Sequence, residues 1–220
     1  HKIPVFIKIF FNLLSFSFSN SKNTKSNSRD NLSKSIQEMG TTFIKLGQFL
    51  ATRPDIIGEK LSKKLESLQD KLPPFSKKEA EKIIIENLGQ SNFDDIIDLS
   101  DPIAAASIAQ VHKAKIKEDN TIKNVAIKVL RPNIKKIFNE EIDAIMLLAY
   151  IVESLITKTK RLKLIEVVFL FKEITNHEMD LRFEAAAANE YAENTKNDLG
   201  FFVPKIYWSF TSESVLTLDW

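Results

Sequence analysis

A lysine in a short apolar run, Val125-Ala126-Ile127-Lys128-Val129, is the residue best placed to do chemistry. Upstream of it lies a stretch of small residues, Ala104-Ala105-Ala106-Ser107-Ile108-Ala109-Gln110-Val111. Backbone amides can cradle a phosphate only where the side chains around them are small, and a nearby ammonium then supplies the opposing charge. Strand alternation puts Lys128 on one face with Ala126 and Leu130, while Val125, Ile127 and Val129 point the other way. An ammonium among small and apolar neighbours is costly to bury without an anionic partner. Two readings stand: a lysine that grips phosphates beneath the alanine turn, or an edge-strand lysine whose long stem carries its charge to water. The alanine run likewise reads as a phosphate turn or as the start of an alanine-rich helix. Alanine disfavours the positive φ that glycine visits freely, so such a turn should be stiffer than a glycine loop and grip differently.

Carboxylates for Lys128 are available in His177-Glu178-Met179-Asp180-Leu181-Arg182-Phe183-Glu184, which precedes Ala185 to Ala188 and Asn189. On a continuous helix Asp180 would share a face with Glu184, and Glu178 with Arg182. The alternative is surface ion pairing worth about 0.3–0.5 kcal/mol a pair. Glu140 and Glu141 are rival partners, nearer in sequence but set in a lysine-rich, solvated-looking stretch. A second constellation is Lys45-Leu46-Gly47-Gln48. A glycine inside a helix costs roughly 1 kcal/mol against alanine, so Gly47 implies a close contact flanked by Lys45 and Gln48, unless it is incidental on a polar face.

These groups need elements to hold them. Leu32, Ile36, Met39, Phe43, Leu46 and Leu50 form one helical stripe, with Lys45, Gln48 and Thr52 on another face. Arg53-Pro54 ends that helix, and Pro54 opens the next, whose buried stripe is Leu61, Leu65, Leu68 and Leu72. Ser76-Lys77-Lys78-Glu79 is a capping box for a third helix, closed by Gly89. Ser107–Ile116 and Asn124–Leu130 read as strands joined by the polar loop 117–123. Helical stripes return with Ile142, Ile145, Met146, Ala149, Val152 and Ile156, and with Leu164, Val167, Val168, Phe171 and Ile174. The latter helix continues or restarts through Asn194. Phe201–Phe210 and Ser214–Trp220 read as two more strands.

The chain has 220 residues, 44% hydrophobic and 27% charged, with a net charge of +2. That is ordinary for a globular protein and gives no argument for nucleic acid. Without cysteine there is neither a disulfide framework nor a thiolate metal site, and His1, His112 and His177 lack ligand spacing, so no zinc is expected. Residues 3–18 are apolar and phenylalanine-rich, somewhat short of the ~20 residues of a membrane span. They read as a helix packed on the body or as a membrane-surface contact. Residues 19–35 have the composition of a linker. Beginning at His1 and stopping at Trp220, the chain reads as a fragment.

The ordered set is more specific than any member. Lys45-x-Gly47-Gln48, Arg53-x-Asp55, Leu68-Gln69-Asp70 before Pro73-Pro74, Ala104 through His112, Val125 to Val129, Glu178-x-Asp180 and Glu184-Ala185-x-x-x-Asn189 follow one another. From Leu32 to Trp220 the chain resembles the UbiB family of atypical kinase-like proteins, which includes the mitochondrial ADCK proteins. The resemblance implies an α+β fold: a protein-kinase-like N-lobe of antiparallel sheet plus helix at 101–220, truncated at the hinge. A helical extension at 32–100 precedes it, after an apolar segment and linker at 1–31, and the C-lobe is missing. It implies Lys128 as the phosphate lysine, Glu184 as its helix carboxylate, and Ala104, Ala105, Ala106, Ser107, Ala109 and Gln110 as nucleotide-covering residues. Lys45 and Gln48 would meet Glu178 and Asp180 over the place where a protein kinase takes its substrate.

The implied ligand is ATP or ADP. Mg²⁺ is expected only with the missing C-lobe, since neither a catalytic-loop Asp and Asn nor an Asp-Phe-Gly triplet is present. The fragment alone should therefore be inactive. The implied role is an atypical kinase or ATPase supporting ubiquinone biosynthesis. Prenyl-lipid or ubiquinone precursors, other proteins of that biosynthesis and a membrane surface are the implied partners, without nucleic acid. Its place would be the bacterial cytoplasm at the inner membrane, or the mitochondrial matrix in a eukaryote. The membrane-spanning tail expected of bacterial members is absent from the sequence. An older name for bacterial members, 2-polyprenylphenol 6-hydroxylase, finds no flavin or iron motif here. The rival class is a non-enzymatic lipid- or membrane-binding scaffold regulated by nucleotide; a protein-serine kinase is disfavoured by the alanine turn and the Lys45 motif.

Overall fold

Breaks between the helices before the sheet fall where the sequence carries glycine and proline, and the computed structural model describes residues 36–66, 68 and 72–220. The apolar segment and linker expected at 1–31 lie outside the described residues. In chain order the helices are α1 (Thr41–Ala51), α2 (Pro54–Ile57), α3 (Glu59–Leu65), α4 (Lys77–Leu88) and α5 (Gln90–Asp94). Strands β1 (Ile96–Ile97), β2 (Pro102–Ala105), β3 (Ala109–Glu118) and β4 (Thr121–Leu130) follow. Then come α6 (Ile134–Leu155), a 3₁₀ turn (Thr157–Leu162), α7 (Leu164–Glu178), α8 (Leu181–Thr195), a second 3₁₀ turn (Trp208–Phe210) and β5 (Val215–Asp219).

These elements form two units, one made of the chain up to Asp70 with Lys135–Thr175, the other of Lys71–Ile134 with Asn176–Trp220. The units interleave, which differs from the expected succession of 32–100 and 101–220. The reason lies in the packing. Ile84 of α4, together with Leu99, belongs to the same buried cluster as Val125, Ile127 and Val129 of β4. The α4 helix therefore belongs to the same core as the sheet.

In the first unit Phe138 and Phe171 are 2% and 1% exposed and meet edge to face at 5.7 Å. Phe49 of α1 adds a third ring, 5.6 Å from Phe171. The buried face of α1 is Thr42, Ile44 and Gly47, not the stripe of Phe43, Leu46 and Leu50, which is half-buried. Gly47 explains the rotation. A Cβ there would collide with Leu68 Cδ1, so glycine lets Leu68 press directly on the helix. The helix expected to run on from Pro54 is split by Gly58, whose φ of 81° belongs to the region that favours glycine. Of its expected stripe, Leu65 and Leu68 are buried and Leu61 is exposed.

The second unit is a five-stranded antiparallel sheet in the order β1-β3-β4-β5, with β2 pairing on β3 beside β1. Ser76 caps α4 through the expected capping box: its side chain accepts from the Glu79 amide, and the Glu79 carboxylate accepts from Ser76 N–H. β3 and β4 are longer than expected, because the loop between them is only Asp119-Asn120. Both residues have positive φ, 47° and 59°, which matches the right-handed twist of a tight hairpin. The alanine run is neither helix nor free loop: Ala104 and Ala105 sit in β2, paired with Val111 and Gln110, and the chain turns through 106–108. The strand expected at 201–210 is irregular, with a single bridge from Ile206 to Leu218 and the 3₁₀ turn at Trp208. Between α7 and α8 the helix restarts at Asp180, which has extended backbone and caps α8. The expected Glu178–Arg182 helical pairing is thereby lost.

Candidate nucleotide site

β4 pairs with β3 on one side and β5 on the other, so Lys128 stands on a central strand between Val111 and Leu216. The edge-strand alternative falls away. Directly opposed residues share a face, so Ala104, Ala109, Val111 and Leu216 lie on the Lys128 face, with Ala126 and Leu130. Ala105, Gln110 and His112 lie on the other face with Val125, Ile127 and Val129. Immediately around Lys128 that face is small and apolar; a second lysine on it, Lys113, stands opposite Ala126 with its ammonium over the Trp220 ring.

The carboxylate that meets this ammonium is Glu184, with Oε2 2.6 Å from Nζ; neither Glu140 nor Glu141 takes that place. Glu184 is held there by the start of α8. Asp180 accepts from the Arg182 amide as the N-cap, and Leu181 N–H donates to Glu213 O just before β5. Leu181 and Ala185 are fully buried on one helix face, leaving Glu184 beside them on the flank. The Lys128 and Glu184 side chains are 27% and 50% exposed, so solvent screening limits the pair to roughly 1 kcal/mol of stability or less. A pair so weak for folding, on a central strand, orients the ammonium more than it holds the sheet together.

The other expected residues sort by position. Ala104 is exposed and Ala105 and Ala106 are half-buried, whereas Ser107 is 0% and Ala109 2% exposed. Gln110 is 1% exposed and turned away from Lys128. Its amide nitrogen donates to Phe75 O and His112 Nε2, and its oxygen accepts from Phe75 N–H at 3.0 Å. The expectation that Gln110 covers nucleotide is corrected by the register, which commits its side chain to the opposite face. Lys45 and Gln48 are half-buried on α1 in the first unit. Glu178 and Asp180, in the second unit, flank the α7–α8 break. Asp180 is chelated by Arg182 through Nε and Nη2 at 2.9 and 2.6 Å, which holds the guanidinium above its usual pKa.

Sequence reasoning missed two features. One is the cross-strand flank of Lys128, Val111 of β3 and Leu216 of β5, which joins the Ala126 already placed on that face. The other is Arg131, which closes β4. Its Nε and Nη2 donate to Ala106 O at 3.0 and 2.8 Å, and Nη2 also donates to Pro73 O at 3.0 Å. Behind it, His112 is fully buried; Gln110 donates to its Nε2, so the proton sits on Nδ1 and donates to Ser100 O at 2.8 Å. Burial pushes the His112 pKa down and keeps the ring neutral.

Chemically, an oriented ammonium beside small residues fits a polyanion with an apolar body, as a nucleoside diphosphate or triphosphate has. Lys128 would meet the phosphates, and Ala104, Val111 and Ala126 would face the rest. Among the described residues no group of three or more His, Cys, Asp or Glu is placed to hold a metal ion. Among them, too, no helix is long and apolar enough to cross a membrane.

Comparison with known proteins bears on the same residues. The model of the ABC1 atypical kinase-like domain matches residues 67–220. A protein of Marinobacter nauticus named probable protein kinase UbiB is 34% identical over 219 residues, 99% of this chain and 39% of that protein. Proteins of the same name from Azotobacter vinelandii and Vibrio cholerae are 35% and 37% identical over 190 and 193 residues. These matches cover 84% and 86% of this chain, and 34% and 35% of the relatives. The chain thus spans little more than a third of the curated relatives it matches.

Proposed function

The chain belongs to the ABC1 atypical kinase-like family, and from that premise we propose that it is the nucleotide-gripping portion of a UbiB-type atypical kinase or ATPase supporting ubiquinone biosynthesis. The observation that carries the reading is the Lys128–Glu184 pair at 2.6 Å on a central strand, beside the alanine-rich hairpin. Lys128 holds the phosphates of ATP or ADP, Glu184 aims it, and Ala104 and Ala106 border the nucleotide. Phosphoryl transfer is dominated by positioning and charge neutralisation. An ammonium fixed before the nucleotide arrives lowers the entropic cost of that positioning. Mg²⁺ supplies further neutralisation when bound. On this reading its carboxylates come from the part of the relatives' length that this chain does not span.

Lys45, Gln48, Glu178 and Asp180 are assigned, on the family motifs, to keeping protein substrates out, so that the acceptor is a small molecule or water. Prenyl-lipid precursors of ubiquinone at a membrane surface are the partners this reading carries. Calorimetric titration of the complete protein with ADP, ATP and adenosine tests it. Saturable binding of both nucleotides, with adenosine much weaker, is the expected result; equal affinity for adenosine and ADP would remove the phosphate role of the Lys128 face.

A further inference from the structure

The alanine turn contains no residue at positive φ. Among the described non-glycine residues that region is entered only by Asp98, Asp119, Asn120, Asn133 and Lys163. Alanine is therefore unstrained at 104–106, and glycine would bring no conformational relief. Something other than glycine's freedom must set the shape of the turn, and the hydrogen bonds identify it.

Arg131 pins the turn directly, and Gln110, just after the turn in β3, fastens the Phe75 segment that Arg131 also reaches. Gln110 bonds both the N–H and the C=O of Phe75, and Arg131 bonds the carbonyls of Ala106 and Pro73. The guanidinium also lies 5.8 Å from the Phe75 ring centre, within cation–π reach. The backbone of Arg131 adds a bond from its N–H to Ile108 O at 2.8 Å. Three segments, Pro73–Phe75, Ala106–Ile108 and the end of the lysine strand, are thus tied at one side chain. A planar trans peptide makes this directional: with Ala106 C=O drawn to Arg131, the N–H of Ser107 points away from the guanidinium.

We propose that Arg131 is a positioning residue for the nucleotide phosphates: it clamps the Ala106–Ile108 turn to the Pro73–Phe75 strap and to the strand of Lys128, so that the turn is shaped before nucleotide arrives. The proposal rests on the nucleotide reading above and deepens it. A turn preformed in the free protein carries no conformational cost on binding, whereas a turn competent one-tenth of the time weakens binding about tenfold. Lysine cannot replace the clamp, because it lacks the planar fork that reaches one carbonyl with two donors.

The test uses the complete protein with Arg131→Lys and Arg131→Ala, titrated with ADP and with adenosine. Folding is checked by the thermal midpoint. Arg131→Lys is expected to bind ADP about tenfold more weakly while adenosine affinity stays within about twofold, because the turn meets only phosphates. Unchanged ADP affinity in a folded Arg131→Lys protein overturns the proposal, as does an equal loss for ADP and adenosine. If Arg131→Ala does not fold, Arg131→Lys decides. Amide hydrogen exchange at 105–108 in the unaltered protein decides independently of both variants: protection already present without ADP supports the clamp, and protection that appears only with ADP overturns it. Lys128→Ala run in parallel separates the layers. If it keeps full ADP affinity the nucleotide reading fails; if it loses affinity and Arg131→Lys does not, only the clamp fails.

Discussion

Replacing Glu184 by glutamine removes one charge from the site with almost no change of shape. Its consequences for stability and for binding should differ. The pair is 2.6 Å long, but the carboxylate side chain is half exposed and the lysine 27% exposed, so folding should lose under about 1 kcal/mol. In a protein of this size that is a drop of about 2–4 °C or less in thermal midpoint.

Binding is affected through Lys128. A released lysine side chain regains up to about 2 kcal/mol of rotamer entropy that must be lost again on gripping phosphate. That corresponds to roughly a tenfold to thirtyfold loss of nucleotide affinity. One term opposes it, since Glu184 repels the phosphates that Lys128 attracts. At about 6 Å in water-like dielectric this repulsion is only about 0.7 kcal/mol, so the ordering term wins. Glu184→Gln in the complete protein, followed by calorimetric ADP titration and thermal melting, should show a large affinity loss with a small stability loss. Wild-type affinity, or a stability loss larger than the affinity loss, would refute the orienting role.

Gly47→Ala should destabilise the protein by up to about 2 kcal/mol in urea denaturation, because overpacking against the Leu68 side chain offsets the gain of roughly 1 kcal/mol in helix propensity; a stabilised variant would show that Leu68 yields. Ser76→Ala should cost about 1 kcal/mol by breaking the capping box, and an unchanged denaturation midpoint would contradict it. Burial holds the His112 pKa below its ordinary 6.5 in the folded state, so the unfolded chain binds the proton first as pH falls. Stability from this group is complete above about pH 6.5 and declines below it. Denaturation measured from pH 7.5 to 5 should show that slope in the wild type and a shallower one in His112→Gln. Equal slopes would remove His112 as the cause.

Local signals were the legible ones. The period-2 alternation of Val125 to Leu130 placed Lys128 on the right face, and Ser76-x-x-Glu79 marked the start of α4, because each depends on a few neighbouring residues. The α1 stripe was misread since the helix is turned toward Gly47 by Leu68, a contact that hydrophobic periodicity alone does not encode. Alanine has weak strand propensity, so β2 was hidden, although Ala104 and Ala105 pair normally with β3. Asp119-Asn120 looked like part of a seven-residue polar loop; only its positive φ values reveal a tight turn. The regrouping of α6 and most of α7 with the N-terminal helices is a matter of long-range packing. So is the Arg131 clamp, whose partners are backbone carbonyls and leave no mark on the residue types they belong to.

The most direct measurement is nucleotide affinity of the complete protein with and without the amine of Lys128, compared by calorimetry in the wild type and in Lys128→Ala at matched folding. Loss of ADP and ATP binding, with the thermal midpoint nearly unmoved, is the outcome this account predicts. Undiminished affinity for both nucleotides in the folded variant would contradict it.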